Sequence, residues 1–89
     1  MQFPGEYLLS DLGTNCPTDQ IISSDSVCEK AANLLGLTYI GPPSRQTHRP
    51  AGCFAWGSLA QRNTLVDISA TLPEHFENGR GICSRGRCA

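Results

Sequence analysis

The chain has 89 residues, a formal net charge of −1, 17% charged residues and 39% hydrophobic residues. This length predicts one domain, spanning residues 1–89, with a modest core, and the near-neutral charge provides no long-range attraction to nucleic acid or to an anionic membrane. No stretch approaches the roughly 20 apolar residues that span a bilayer, so no membrane span is expected.

Cysteine content indicates a cellular compartment. Five cysteines in so short a chain, with nine glycines and six prolines, are typical of a disulfide-rich, loop-rich domain. The opening residues have neither the basic nor the apolar region of a signal peptide, so a leader would have to lie outside this sequence. We expect a protein that is extracellular or at the cell surface.

Residues 1–12 read as an N-terminal arm, and within it residues 6–9 form a short strand candidate after Pro4-Gly5. The strongest helix signal follows at residues 23–36. Ser24 or Ser26 suits the N-cap, and Ser26 with Glu29 fits a capping box. Gly36 suits the left-handed residue that ends a helix. Apolar side chains recur at helical spacing, at Val27, Cys28, Ala31, Leu34 and Leu35.

The rest of the chain reads as short strands joined by loops. Strands are predicted at residues 37–40, 53–56, 64–68 and 82–84, with loops at 41–52 and 72–81, a turn at 57–58 and a basic tail at 85–89. Phe54 and Trp56 should share one face of their strand, with Cys53 and Ala55 on the other. The predicted fold is α+β: one helix disulfide-stapled onto a small, mostly antiparallel sheet of about four strands.

Disulfide pairing follows from this arrangement. Helix–strand geometry favours Cys28 with Cys53, and Cys16 with Cys83 would then close the N-terminal loop against the last strand. Cys88 is the odd cysteine: it is free, pairs with another chain, or replaces Cys83 in the bridge to Cys16.

A zinc site is the competing use of these cysteines. The only close pair is Cys83-x4-Cys88, and His48 and His75 are not spaced as a pair, so no metal and no cofactor are expected.

Several motifs together resemble a small cysteine-rich module common in predicted proteins of dinoflagellates and other algae. The resemblance covers roughly residues 13–84, and its motifs read CExAAxxLGL from Cys28, PxGCF from Pro50, then Asn63, then ICS from Ile82. The resemblance implies a fold and an extracellular compartment rather than an activity. A helix cysteine followed by a strand cysteine is also similar to PAN/apple domains, which bind proteins and carbohydrates, although this chain has fewer cysteines around its helix.

A search for catalytic patterns argues against an enzyme. Asp67, Glu74 and His75 lie close together in sequence, but no Gly-x-Ser-x-Gly elbow and no phosphate-cradling glycine loop is present. Glu74-His75 reads better as a solvated loop pair than as an acid–base pair.

Binding is the favoured function class. Arg45, His48 and Arg49 project from the proline-rich loop, and with Tyr39 and Trp56 nearby they would stack on and hydrogen-bond a sugar ring or a peptide. The alternative for Trp56 is a place in the core. Asn63 is either a polar residue that faces a ligand or a residue that forms a turn, and the turn is favoured.

Assembly is the second function class. Tyr7, Leu8 and Leu9 in the arm would add as a strand to a neighbour's sheet. Arg85 and Arg87 in the tail would meet an acidic neighbour or remain solvated. The sequence therefore predicts a non-catalytic extracellular module that binds protein or carbohydrate, and the alternative is a structural subunit that assembles with copies of itself into a filament or matrix.

Overall fold

A computed structural model describes residues 7–76 and 79–84, which form one helix and a five-stranded sheet. The elements in chain order are β1 (Tyr7–Leu9), α1 (Asp25–Leu34), β2 (Thr38–Tyr39), β3 (Gly52–Trp56), β4 (Leu59–Asn63) and β5 (Gly79–Ser84). Single 3-10 turns occupy Thr18–Gln20, Ile68–Ala70 and Pro73–His75. No helix within the described ranges is long and apolar enough to cross a membrane.

A serine cap and a left-handed glycine define the two ends of the helix. Ser24 is the N-cap, and its hydroxyl accepts a hydrogen bond from the Val27 backbone N–H at 3.4 Å. Ser26 lies inside the first turn, so the Ser26–Glu29 capping box does not form. Gly36 follows the helix with φ of +76°, as a left-handed C-terminal residue does. Leu34 was expected on the buried face but is 52% exposed.

The sheet corrects two parts of the fold prediction. It has five strands rather than about four, in the order β1-β5-β3-β4-β2. Strand β5 pairs antiparallel with β1 and β3, β3 pairs antiparallel with β4, and β2 pairs in parallel with β4. The sheet is therefore mixed rather than mostly antiparallel. Strand β2 lies at the far edge beside β4 and runs in the same direction, and β3, which separates the two in the chain, runs in the opposite direction.

The strand predicted at residues 64–68 is wrong. Strand β4 occupies residues 59–63, and the chain then leaves the sheet. The Asp67 carboxylate accepts hydrogen bonds from the backbone N–H of Ser69 at 3.0 Å and from its hydroxyl at 2.7 Å, which caps the 3-10 turn Ile68–Ala70. Local side-chain bonds of this kind compete with strand pairing. Alternating hydrophobicity alone therefore gave a false strand.

Strand β5 begins earlier than expected. Gly79 and Gly81 read as turn formers in the sequence, yet both lie in the strand. A Cβ at Gly81 would lie 2.6 Å from the Cys16 Sγ, and a Cβ at Gly79 would lie 3.0 Å from the Phe76 carbonyl oxygen. These glycines therefore serve close packing against the strand rather than a turn.

Two disulfides join the elements, with the pairing that the sequence favoured. Cys28 in α1 is bonded to Cys53 in β3, and Cys16 is bonded to Cys83 in β5. All four cysteines are at most 2% exposed. The helix therefore lies on the Cys53 face of β3, where its small buried residues pack against Ala55, Ala60 and Ile82.

The opposite face of the sheet is covered by loops. Phe54 and Trp56 project there from β3, as strand alternation predicts. Phe54, Phe76 and Pro50 are fully buried beside that face. Residues 41–51, here called the proline-rich loop, and residues 64–76, here called the second loop, supply this cover.

Candidate functional site

A buried side-chain amide ties the proline-rich loop to β4. Asn63 at the end of β4 is fully buried. Its Oδ1 accepts hydrogen bonds from the backbone N–H groups of Gln46 at 2.9 Å and Leu65 at 3.0 Å. Its Nδ2 donates to the carbonyls of Gln46 at 2.6 Å and Pro50 at 3.0 Å, with a longer bond to Arg49. Asn63 therefore faces neither a ligand nor solvent.

Arg49 is positioned by the loop that Asn63 holds. Its guanidinium carbon lies 5.2 Å from the centroid of the Trp56 ring, within the range of a cation–π contact. Its Nη1 also donates to the carbonyls of His48 and Phe76, each at 3.4 Å. The side chain thus bridges the two loops while its charge rests on an aromatic face.

Trp56 lies between the core and the surface. Its ring stacks beside that of Phe54, with centroids 5.4 Å apart and planes inclined at 22°. Phe54 is fully buried, whereas Trp56 is half-buried. Trp56 is therefore packed against the core on one side and exposed at the surface on the other. Its role in binding stays a prediction.

The structure brings together the two histidines that the sequence left apart. His48 in the proline-rich loop and His75 in the second loop are both exposed, and their ring centroids lie 5.8 Å apart. The backbone bond from Leu72 N–H to the Thr47 carbonyl, at 2.8 Å, holds the two loops side by side. No spacing rule signals this pair, because the contact depends on how both loops cross the sheet.

These contacts join Trp56, Arg49, His48 and His75 into one continuous patch, which we call the Trp56 surface. It contains three of the five residues that the sequence proposed for binding, His48, Arg49 and Trp56. It adds His75, which sequence reasoning had set aside as a solvated loop residue. Arg45 is exposed in the same loop.

Tyr39 lies elsewhere, contrary to the expectation that it would be near Trp56. It pairs with Ala60 in β4, which in turn pairs with Ala55, so its side chain shares the helix face of the sheet. Burial raises the pKa of the Tyr39 hydroxyl, and the nearby charge of Asp25 raises it further. Arg62, which forms an ion pair with Asp25, opposes that shift.

Of the residues proposed for assembly, the structure describes those of the N-terminal arm. Strand β1 pairs with β5 of its own chain, and Tyr7 is only 8% exposed, so Tyr7 packs within its own core. Leu8 and Leu9 are half-buried in the same strand. Arg85, Arg87 and Cys88 lie outside the described residues.

The residues considered for catalysis are distributed along the second loop. Hydrogen bonds from the Ser69 hydroxyl and backbone N–H lower the pKa of Asp67, whose carboxylate serves as a cap. Glu74 is exposed beside His75. Within residues 7–76 and 79–84, no three or more His, Cys, Asp or Glu side chains group closely enough to hold a metal ion.

Comparison with protein-family models, with curated proteins and with solved structures finds no match to this chain. The resemblance to the algal cysteine-rich module therefore stays a prediction.

Proposed function

We propose that the protein is a non-catalytic, disulfide-stabilised interaction module that binds a protein or glycan partner through the Trp56 surface. The observation that carries this proposal is the Arg49 guanidinium held over the half-buried Trp56 ring. An arginine and an aromatic ring in contact are the residue types most enriched where proteins recognise partners. The proposed location is extracellular or at the cell surface, because two buried disulfides persist in an oxidising compartment.

Arg49 is suited to bind an anionic group. Within the described residues the structure has one ion pair, between Arg62 and Asp25, on the other face of the sheet. Arg49 instead meets neutral partners, namely an aromatic face and two backbone carbonyls at the long distance of 3.4 Å. Its fork of donors can exchange these weak bonds for a carboxylate, sulfate or phosphate oxygen, which forms stronger charge-assisted bonds.

The surface is also held ready for binding. The proline-rich loop is tied to β4 through Asn63 and through the side-chain amide of Gln61, which donates to the Pro42 carbonyl at 2.7 Å. A loop that is already ordered loses little conformational entropy when a partner binds. The partner class we favour is therefore a uronate-bearing or sulfated glycan or an acidic peptide segment, in which anionic groups alternate with faces that pack against Trp56.

The test is a binding screen on the oxidised protein with neutral glycans, uronate-bearing glycans, sulfated glycans and acidic peptides. We expect an anionic ligand whose binding weakens about tenfold or more in Arg49→Gln and in Trp56→Leu, since each removes a central contact. Lys30→Gln is the matched control, because Lys30 is an exposed cation on the helix, away from this surface. Equal losses in the Lys30 variant, or no selective ligand at all, contradict the proposal.

Self-assembly into a filament or matrix is the alternative function. Strands β1 and β2 stand at the two ends of the strand order, so each pairs with only one neighbour among the described strands. Such edges are where a second copy would add. Light scattering with non-reducing native mass determination distinguishes the two functions. A monomer at all concentrations supports the binding module, and large or open-ended oligomers support assembly.

A further inference from the structure

The pair of exposed imidazoles at the edge of the Trp56 surface has a use beyond ring packing. The chain contains only two histidines, and folding places both at one point on the surface. They come from different loops, one before β3 and one between β4 and β5. Imidazole nitrogens are common ligands of zinc, copper and nickel ions.

The geometry of the pair is close to that of a chelate. A metal at about 2.0–2.1 Å from one nitrogen of each ring sets two ring centroids roughly 5 Å apart at the tetrahedral angle. The observed centroids are 5.8 Å apart, with the planes inclined at 62°. An approach of less than about 1 Å, within the range of side-chain rotation at an exposed site, brings both rings to one ion. The spacing is thus compatible with bidentate binding, and it also lies within the range of an ordinary edge-to-face ring contact.

We propose that His48 and His75 form a two-histidine surface site for a transition-metal ion such as Zn²⁺ or Ni²⁺, with water in the remaining positions. No third protein ligand groups with them within the described residues, so positions on the metal stay open. An open position accepts a ligand from a partner, such as a carboxylate or an imidazole. This inference is independent of the anionic ligand proposed for Arg49, since the metal binds without a partner.

Neighbouring charges set limits on the affinity. Glu74 precedes His75 and is exposed, and its carboxylate adds negative potential that favours a cation. Arg49 follows His48 and opposes a cation, although its guanidinium lies over the Trp56 ring. Because it has only two protein ligands, the site should bind a metal ion more weakly than a structural zinc site with three or four protein ligands.

The test is calorimetric titration of the oxidised protein with NiCl₂ and ZnCl₂ at pH 7.5, in a Cys88→Ser background that removes the odd thiol as a competing ligand. We expect one ion per chain. His48→Ala and His75→Ala should each weaken metal binding about tenfold or more. In the parent, the ion bound by one histidine is held close to the other, and a single-histidine variant loses this second bond. Glu74→Gln, with both histidines retained, should weaken binding less than either histidine variant does.

A second readout separates chelation from independent binding. One ion bridging both loops should raise the melting temperature of the parent and leave both single-histidine variants unchanged. Ring-proton NMR signals of His48 and His75 should shift together at the same metal concentration. If the two variants each keep the parent affinity, or the two rings titrate with metal separately, the histidines are independent and the proposal is overturned.

Discussion

At the scale of single residues, the buried amide of Asn63 connects β4 to three residues of the proline-rich loop, Gln46, Arg49 and Pro50. Its oxygen accepts two backbone N–H groups, and its nitrogen donates to backbone carbonyls of the same loop. Backbone polar groups in a partly buried loop need partners, and here one side chain supplies several of them beside the backbone bridge between Ser44 and Asn63. The position of Arg49 over Trp56 therefore depends in part on Asn63, which donates to the Arg49 backbone carbonyl.

Replacing Asn63 with alanine should lower the free energy of unfolding by about 2–4 kcal/mol, because two part-buried N–H groups lose their acceptor and the carbonyls of Gln46 and Pro50 lose their donor. Chemical denaturation followed by Trp56 fluorescence measures the change. Asn33→Ala is the control, since Asn33 is an exposed asparagine on the helix and should stay within about 0.5 kcal/mol of the parent. Equal stability of the Asn63 and Asn33 variants would contradict this account of the loop.

Gly52 is the second residue that is critical for local structure, because there is no room for a side chain at this position. Its φ is +72°, and a Cβ would lie 2.7 Å from the Ile22 carbonyl oxygen and closer still to the Ile21 side chain. The backbone at residues 21–22 approaches β3 there, with the Cys53 N–H donating to the Ile22 carbonyl at 3.0 Å. This approach brings the segment that follows Cys16 against the strand that carries Cys53.

Gly52→Ala should therefore cost more stability than an alanine at another left-handed glycine. We expect about 2–4 kcal/mol, from backbone strain together with the steric clash. Gly36→Ala provides the comparison, because Gly36 has a similar φ of +76° but nothing within 4 Å of its Cβ position. That variant should lose only about 1–2 kcal/mol. Thermal unfolding of both variants measures the difference, and a Gly36 loss equal to the Gly52 loss would show that the clash contributes nothing.

At the scale of elements, the helix is joined to the sheet by a polar cluster as well as by a disulfide. Asp25 in the first turn of α1 forms an ion pair with Arg62 of β4, and Tyr39 of β2 lies beside both. The Arg62 side chain is 18% exposed and the Asp25 side chain 53%, so water screens the pair and its contribution is small. The cluster fixes the position of the helix relative to β2 and β4, but it contributes little to the stability of the fold.

The raised pKa of Tyr39 predicts a loss of stability at alkaline pH. The unfolded chain ionises this tyrosine near its ordinary pKa of about 10. The folded state holds the proton to higher pH, because burial and the Asp25 charge disfavour the phenolate. The contribution is therefore fully present below pH 10 and is lost as the pH rises through the folded pKa.

Urea unfolding from pH 7 to pH 11, in the Cys88→Ser background to prevent thiol exchange, measures this effect. The free energy of unfolding should fall with pH above about 10 in the parent and fall less steeply in Tyr39→Phe. Between pH 7 and pH 9 the two proteins should keep a constant difference, which serves as the internal control. Parallel alkaline slopes would show that Tyr39 does not couple to folding.

At the scale of the whole molecule, two disulfides compensate for a small core. The fully buried apolar residues are mostly small, and the largest of them are Phe54, Phe76 and Ile82. Domains of this size bury a limited share of their surface and often need covalent cross-links. Each bridge joins cysteines that are distant in sequence: Cys28 and Cys53 are 25 residues apart, and Cys16 and Cys83 are 67 residues apart.

The longer loop should contribute the larger stabilisation. On the chain-entropy model, removing Cys28–Cys53 as a double alanine variant costs about 3–4 kcal/mol, and removing Cys16–Cys83 costs about 4–5 kcal/mol. Denaturant unfolding of the two double variants, both in the Cys88→Ser background, gives the comparison. If the Cys28–Cys53 variant is the less stable one, helix docking outweighs loop entropy in this fold.

The sequence by itself determined those features that depend on neighbouring residues. The helix with its serine cap and Gly36 end follows from capping and from 3.6-residue periodicity, and the two faces of β3 follow from strand alternation. The favoured cysteine pairing followed in turn, because a cysteine on the inward side of the helix and one on the inward side of the strand are brought into contact when the helix covers the sheet.

Only the tertiary structure decided which segments pair and which loops meet. Strand β4 has the polar sequence LAQRN, which reads as no strand, yet it pairs on both sides because Asn63 and Gln61 bond to the proline-rich loop and Arg62 to the helix. Residues 64–68 alternate like a strand but form none, although Thr64 and Leu65 make single backbone hydrogen bonds to Ser44 and Gly52. The Trp56 surface and the His48–His75 pair likewise join residues from separate loops, and no local pattern encodes such contacts, because hydrogen bonds between distant segments depend on the path of the whole chain.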